Sequence, residues 1–329
     1  MTEDQESGIN HWLRLPDEMA LHIFRLLPPE LLKTVALVNK EFRILSNSLW
    51  TGITLDFEDK HTIESCRDLV QRCTKLASLK ISNKFYNWNV HVLNIMTVVI
   101  IAERSLKNLE VDKSIRMWTP AAMSKIGQLK NLRSLTLMVS LENNKSNMYV
   151  EANMLKELAN LDNLELLNLK ITKNQVAIFP LEGVAATMKA VFEKLNKLKE
   201  VKISLPCCDD EGLVDALAKS NPDLSVLHLS MDYHSLSDQT IELLANSCPG
   251  LEDFRYRCDR RDGVNRALTN GGIERMVRSA RNLKHLRLRT YKAPRLTRDL
   301  AERMRLQYLD QDCISFRYHC DCVLFKLRL

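Results

Sequence analysis

Positively charged side chains recur at alternate positions in the C-terminal part of the sequence, and their chemistry is that of anion binding. Arg255 and Arg257 are separated by one residue, and Arg287 and Arg289 repeat the arrangement. Guanidinium groups on neighbouring strands, roughly 5 Å apart, suit a cluster of phosphates or carboxylates. The alternative is that these arginines lie on an exposed strand face and stay solvated. His228 would add positive charge below about pH 6.5.

Other reactive side chains show no arrangement that supports catalysis. The sequence has no phosphate-binding glycine loop and no Gly-x-Ser-x-Gly motif, and its cysteines and histidines lack the spacing of a nucleophilic site. A cluster of Cys313, His319, Cys320 and Cys322 permits a metal site, but without a second spaced pair it favours ordinary thiols. We therefore predict no enzyme activity, no cofactor and no metal.

A repeated Leu-x-x-Leu-x-Leu motif positions the basic residues. Eight copies recur at an average spacing of about 29 residues, and a weaker ninth copy begins at Leu306. The eight copies begin at Leu76, Leu106, Leu132, Leu164, Leu198, Leu224, Leu251 and Leu283. The last two apolar residues of each copy alternate with polar ones, so each copy predicts a short strand with an inward apolar side. Such units are too small to bury that side alone and must stack into a solenoid.

The residue between the last two apolar positions of each copy is predicted to line the open face of the sheet. This stripe becomes basic towards its C-terminal end. Residues 251–329 carry a formal net charge of +9 against +6 for the whole chain, so the first 250 residues carry −3. The predicted binding residues are Lys202, His228, Arg255, Arg257, Arg287 and Arg289.

Helical patterns lie between the strand motifs. They cover residues 121–129, 154–161, 184–195, 211–219, 240–248 and 272–281, and the apolar run 92–102 predicts a further buried helix. Cap residues are predicted at Thr119, at Asp238, and at Asp209 or Asp210. Residues 53–55 predict a first, degenerate strand. A polar N-terminus and nine scattered cysteines are typical of a reduced intracellular chain.

Residues 12–50 predict three short helices with more apolar surface than so small a unit can bury. Asp17 is expected to cap the first helix, a Pro28-Pro29 pair to stop it, and Glu30 to start the second. The third holds Phe42 and Leu45.

The first of these helices is apolar on two sides. Met19, Leu21 and Leu26 lie off the face that Ile23 and Phe24 define. The surplus must therefore face the rest of the chain or another protein.

The residues of this N-terminal segment resemble an F-box. The resemblance rests on Leu15-Pro16-Asp17-Glu18, Ile23-Phe24, Glu30-Leu31-Leu32-Lys33 and Leu49-Trp50, spread over about 40 residues. Many F-boxes carry Cys and Trp where this sequence has Asn39 and Phe42, and Phe42 keeps an aromatic plug there. Together with the repeats, the chain resembles the F-box proteins that continue into leucine-rich repeats.

This resemblance implies that the helical unit binds the S-phase kinase-associated protein one type of adaptor, and through it a cullin. The residues it assigns to adaptor binding are Leu15, Pro16, Ile23, Phe24, Leu27, Leu31, Leu32, Val35, Val38 and Trp50. We expect the regions of residues 15–16, 23–24 and 35–38 to stay exposed. Trp50 is predicted to lie buried in a rigid junction.

The function that follows is that of the substrate-recognition subunit of an SCF-type E3 ubiquitin ligase, in the nucleus or the cytoplasm. The resemblance implies protein substrates such as cell-cycle regulators, often phosphorylated, and allows a small accessory subunit that reads the phosphate. The alternative is a leucine-rich-repeat scaffold that binds an acidic protein or RNA through the basic stripe. Only Tyr256 and Tyr291 could stack on bases there, which disfavours nucleic acid. We predict no membrane association.

The predicted domain boundaries are a polar N-terminus at residues 1–10, an F-box at 11–52, about eight to nine repeats at 53–310 and a C-terminal tail at 311–329. Val323, Phe325 and Leu327 alternate with other residues in a strand-like pattern. The resemblance implies that this tail folds back along the inside of the repeat arc. An edge strand that extends the last repeat is the competing interpretation.

Overall fold

The chain forms one long sheet preceded by a small helical unit. The computed structural model describes residues 16–56, 62–82, 92–112, 118–141, 152–173, 183–205, 212–231, 236–258, 267–291, 314–319 and 322–328. Within these residues three helices precede nine parallel strands that alternate with helices, and a two-stranded hairpin follows. The predicted α/β repeat, a three-helix unit followed by a leucine-rich-repeat solenoid, is confirmed. The exact domain boundaries stay a prediction.

The helical unit holds α1 (Asp17–Arg25), α2 (Pro29–Val35) and α3 (Lys40–Ser48). Asp17 is the first residue of α1 and makes no capping hydrogen bond; Pro16 stands at the cap position. The cap that forms is at α3, where the Asn39 side chain accepts a hydrogen bond from the backbone N–H of Phe42 at 2.7 Å. Pro29 opens α2 at its first helical position, where the missing N–H of proline removes one of the orphan donors.

The nine parallel strands follow the chain order across the sheet. Their bounds are β1 Gly52–Asp56, β2 Ser78–Ser82, β3 Asn108–Val111, β4 Ser134–Leu141, β5 Leu166–Lys173, β6 Glu200–Leu205, β7 Val226–Met231, β8 Asp253–Cys258 and β9 His285–Tyr291. The degenerate strand predicted at residues 53–55 pairs with β2, and Ile53 and Leu55 are buried. All eight repeat motifs lead into strands with buried apolar or aromatic side chains at their last two motif positions, as the alternation predicts.

Helices connect consecutive strands, and each packs on the next helix in the chain. They are α4 Thr62–Arg72, α5 Val92–Ile101, α6 Pro120–Gly127, α7 Ala152–Leu155 with a 3-10 helix at Lys156–Asn160, α8 Val184–Lys194, α9 Gly212–Ser220, α10 Asp238–Ser247 and α11 Asn270–Ser279. The sequence did not predict α4. The predicted buried helix is α5, in which Ile95, Met96 and Val99 are fully buried.

Hydroxyl side chains cap three of these helices. Thr119 caps α6 as predicted, Ser237 caps α10, and Thr269 caps α11. Asp238 was wrongly predicted as a cap: it is the first residue of α10, and its carboxylate accepts hydrogen bonds from Thr269 of the next repeat. Residues 209 and 210 lie outside the described residues.

The C-terminal tail extends the sheet as a hairpin. Strand β11 (Cys322–Arg328) pairs antiparallel with β9, and β10 (Ile314–His319) pairs antiparallel with β11. The edge-strand interpretation is therefore confirmed, and the expectation that the tail folds back along the inside of the arc is wrong. The position beside β9, where a strand of the weaker ninth motif copy would pair, is held by β11. Leu306 lies outside the described residues.

Trp50 joins the two parts of the chain. Its half-buried side chain packs against the small apolar cluster of the helical unit and against the long core of the solenoid. The next residue, Thr51, accepts hydrogen bonds through its backbone carbonyl from Ala77 and Ser78, both at 2.8 Å. The junction predicted at Trp50 is present, with the indole shared between two cores. Among the residues described, no helix is long and apolar enough to cross a membrane.

Candidate functional site

A groove of about 260 Å³ lies on the strand face of β5 to β9. Alternation along each strand turns the apolar side chains to the helices and the polar side chains to this face, as in β6, where Val201 and Ile203 are buried. The groove is basic in character. All six residues predicted from the sequence line it, namely Lys202, His228, Arg255, Arg257, Arg287 and Arg289.

Strand register places these residues in two rows. The first row contains Lys202, His228, Arg255 and Arg287, each paired with the next across neighbouring strands. The second row, two residues further along each strand, ends in a pair of arginines. Neighbouring strands lie about 4.8 Å apart, so the backbones carrying adjacent cations are held within one strand spacing of each other.

Asp253 neutralises part of the first row. Arg255 donates two hydrogen bonds to its carboxylate, from Nε to Oδ1 at 3.0 Å and from Nη2 to Oδ2 at 2.7 Å. His228 Nε2 lies 3.1 Å from the same Oδ2. Burial alone would raise the pKa of Asp253, but the hydrogen bonds from Arg255 and His228 outweigh burial and lower it. Asp253 is therefore ionised, and the guanidinium of Arg255 is paired with it.

His228 is neutral near pH 7 in this setting. Burial lowers its pKa below the ordinary 6.5, and the contact with Asp253 offsets this only in part; Arg255 and Lys202 lower the pKa further. Neutral His228, protonated on Nε2, donates a hydrogen bond to Asp253. The sequence-based expectation of charge from about pH 6.5 is thus corrected: protonation needs a lower pH.

The remaining cations differ in how they are paired. Lys202 forms an ion pair with Glu200 of its own strand. Within the described part of the chain Arg287 and Lys170 have no ion-pair partner, and both line the groove. The sequence analysis missed Glu200 and Asp253. Each stands two residues before a predicted groove residue on the same strand, and the period of two would have placed it on the same face.

A second surface lies on the helical unit. Six large apolar side chains of the described residues are strongly exposed, and all six fall between residues 19 and 44. The exposed fractions are Met19 53%, Leu26 75%, Leu31 48%, Leu37 77%, Val38 65% and Ile44 53%. We call these six residues the apolar surface. Met19 and Leu26 belong to the second apolar side predicted for the first helix, whereas Leu37 and Ile44 were not singled out.

The core of the helical unit contains two of the predicted adaptor-binding residues. Phe24 and Leu32 are only 4% and 8% exposed, and the Phe24 ring meets the Phe42 ring edge-on at a centroid distance of 5.2 Å. The expectation that Phe24 stays exposed is therefore wrong, because three short helices need these side chains to hold together. Phe42 does fill the aromatic position.

The other predicted adaptor-binding residues are divided between the surface and the interior edge. Pro16, Leu31 and Val38 are exposed. Leu15 lies outside the described residues. Those that are half-buried are Ile23, Leu27, Val35 and Trp50.

Metal chemistry has no support within the part of the chain that is described. No group of three or more histidine, cysteine or acidic side chains there could hold a metal ion. The cluster at Cys313, His319, Cys320 and Cys322 lies outside the side chains that the structure describes.

Together these features define a class: a leucine-rich-repeat solenoid with an open basic groove and a helical unit with an exposed apolar surface. Comparison with protein families assigns residues 12–56 to the F-box-like family. The segment that forms the helical unit thus matches the F-box-like family, and it continues directly into the leucine-rich repeats of the solenoid. No curated protein matches the chain. Among solved structures, the crystal structure of the Rad7 and Elc1 complex in yeast aligns over 89% of this chain and 92% of that chain, with 15% identity and a TM-score of 0.41.

Proposed function

We propose that this protein is the substrate-recognition subunit of an SCF-type E3 ubiquitin ligase. The observation that carries the proposal is the confinement of the strongly exposed large apolar side chains to the F-box-like segment, among the residues described. A solvated cap on a solenoid has no need of such a surface, whereas a docking unit does. The partner that fits is an adaptor protein with an apolar groove, linked in turn to a cullin.

The energetics favour a partner on the apolar surface. Burying one leucine or valine side chain contributes about 1.5–3 kcal/mol. Leu26, Leu37 and Val38 are each more than 60% exposed in the isolated chain, so most of that free energy is still available for binding. Phe24 and Leu32 act indirectly, by fixing the helices that carry the surface.

The basic groove is the proposed substrate site. Arg287 offers a planar set of donors with no carboxylate on it in the described structure, and Lys170 adds a point charge in the second row, four strands away on β5. A phosphorylated or acidic segment of a substrate protein would satisfy both. Tyr256, one of the two stacking candidates of the RNA-binding alternative, is 1% exposed and cannot stack on a base; the side chain of the other, Tyr291, lies outside those that the structure describes. This favours protein over nucleic acid as the cargo.

The proposed mechanism is proximity rather than chemistry. The helical unit would dock on the ligase, and the groove would hold a substrate so that its lysines meet the charged ubiquitin-conjugating enzyme at high effective concentration. The chain itself would make and break no bonds. The proposal also includes cell-cycle proteins as substrates and an accessory subunit that reads phosphate.

Affinity purification with mass spectrometry tests both halves in one experiment. Leu26→Asp with Val38→Asp places two carboxylates on the apolar surface and should lower recovery of adaptor and cullin at least ten-fold, since about 1.4 kcal/mol corresponds to a factor of ten. His22→Asp with Thr34→Asp is the matched control, because it adds the same two negative charges at exposed polar positions, one on α1 and one on α2. Phe24 is unsuitable as a test because its loss would unfold the unit.

Lys170→Glu with Arg287→Glu tests the groove in the same experiment. These changes should remove substrate proteins and retain the adaptor, while Lys194→Glu with Lys219→Glu, on exposed helix positions, should retain both. If wild-type protein recovers no adaptor and no cullin, the ligase proposal is wrong. If it then recovers acidic proteins through the groove alone, the scaffold alternative replaces it.

A further inference from the structure

A second basic cleft lies at the edge of the sheet where the first repeat strands begin. It has a volume of about 430 Å³ and contains Lys75, Arg104, Lys107 and Arg133, with Asn131 and Asn163 between them. No acidic side chain among the described residues lines it. It belongs to the repeats of β2 to β5 and to the strand edge, whereas the basic groove lies on the strand face of β5 to β9.

Backbone hydrogen bonds hold the floor of this cleft in place. The N–H of Lys107 donates to the carbonyl of Ala77 at 2.8 Å, and the N–H of Arg133 donates to the carbonyl of Lys107 at 2.7 Å. The amides of Asn131 and Asn163 donate to the carbonyls of Arg104 and Lys130, each at 3.0 Å. The cations thus project from a row that is fixed from repeat to repeat.

The charged residues of this row form ion pairs in the later repeats but not between the first ones. The residue just before each strand is cationic or anionic in most repeats, and in the later repeats opposite charges meet: Glu165 binds Lys199 at 2.9 Å and Glu252 binds Lys284 at 2.8 Å. In the first repeats the neighbours of Lys107 are Ala77 and Arg133.

Three cations of the cleft are left without such partners. Within the described residues Lys75, Arg104 and Lys107 form no ion pair, and Arg133 meets only Glu165, at 3.3 Å. Glu165 itself is shared with Lys199, whose hydrogen bond is the main reason that its pKa is lowered. A single carboxylate, itself shared with Lys199, is therefore the only negative charge paired with the four cations among the described residues.

We propose that this cleft binds an acidic polypeptide segment, rich in aspartate and glutamate, of a partner protein. The cations extend over three successive repeats, so they suit carboxylates spaced along a chain better than one compact anion. Two of the four are lysines, whose ammonium groups can donate to carboxylates in many geometries. No aromatic side chain lines the cleft, so it offers no stacking platform for single-stranded nucleic acid. This inference is independent of the ligase proposal.

Fluorescence anisotropy with the full-length protein tests the proposal. The probe is a labelled peptide of ten glutamates, with a ten-glutamine peptide and a ten-nucleotide uridine RNA as comparisons. The protein carries Lys170→Glu and Arg287→Glu throughout, so that the basic groove does not contribute. In this background Lys75→Glu, Arg104→Glu and Lys107→Glu together should raise the dissociation constant of the glutamate peptide about ten-fold or more at low salt.

Two further variants make the result specific. Lys194→Glu, Lys219→Glu and Arg278→Glu change the net charge equally on exposed helix positions and should leave binding within about two-fold. Lys75→Gln with Lys107→Gln is a milder change, which should weaken binding several-fold even if the triple reversal fails to fold. Equal losses in the cleft and helix variants would overturn the proposal, as would unchanged binding in the cleft variants or tighter binding of the RNA than of the peptide.

Discussion

Asn221→Ala is the substitution for which the structure gives the most definite energetic expectation. The Asn221 side chain is 1% exposed. Its Oδ1 accepts a hydrogen bond from the backbone N–H of Leu198 at 2.8 Å, and its Nδ2 donates to the carbonyl of Leu217 at 3.1 Å. Leu198 leads into β6 and Asn221 into β7, so this amide ties together the two strands that carry Lys202 and His228.

The magnitude follows from what each partner loses. The carbonyl of Leu217 still accepts the backbone N–H of Asn221 at 3.1 Å, so it stays satisfied in the variant. The N–H of Leu198 is left buried without an acceptor, which costs about 1–3 kcal/mol, and the second hydrogen bond contributes about 1 kcal/mol more. We therefore expect Asn221→Ala to lower the free energy of unfolding by about 2–4 kcal/mol.

Urea unfolding measures this change, and hydrogen exchange at Leu198 localises it. Asn131→Ala is the control. Its side-chain amide also bonds the backbone of the preceding repeat, here by donating from Nδ2 to the carbonyl of Arg104, but the residue is exposed, so water replaces the bond and the loss should stay below about 1 kcal/mol. Equal destabilisation by the two variants, or a loss below about 1 kcal/mol for Asn221→Ala, would refute the reasoning from burial.

Two further predictions concern titratable groups. By NMR titration His228 should show a pKa below 6.5, and Asp253→Asn should lower it further because the carboxylate contact raises it; a rise would contradict the assigned pairing. Since the folded state disfavours protonated His228, its contribution to stability is present above pH 6.5 and is lost as pH falls through the folded pKa. Burial raises the pKa of Cys248 to about 12, so alkylation at pH 8 followed by mass spectrometry should label Cys248 only after unfolding; labelling of the native protein would contradict its burial.

The sequence predicted the solenoid well because a single physical rule governs it. A strand that buries every second residue must show a period of two, and the motif that ends in Leu227 and Leu229 shows this as plainly as any. The same rule placed His228 on the open face. It carries no information about pairing, however, and so could not decide that β11 lies antiparallel against β9.

The helical unit was predicted less accurately because a helix that is apolar on two sides does not reveal which side is buried. The sequence favoured exposure for Phe24, yet Phe24 forms the core with Phe42, while Leu26 on the other side is 75% exposed. The sequence likewise could not show which cations of the stripe are paired with carboxylates. Counting arginines overstated the available positive charge, since Asp253 engages Arg255 and lowers the charge of the first row.

Trp50 gives the two surfaces a defined relationship, and the proposed mechanism depends on it. A free hinge between the helical unit and the solenoid would have to withdraw the indole from at least one of the two apolar clusters that it contacts. Loss of a buried aromatic side chain from a core costs about 3–5 kcal/mol, and this half-buried one should cost a substantial part of that. The groove would therefore keep its direction relative to the docked apolar surface, which a proximity mechanism needs because effective concentration falls when the tethered groups cannot meet.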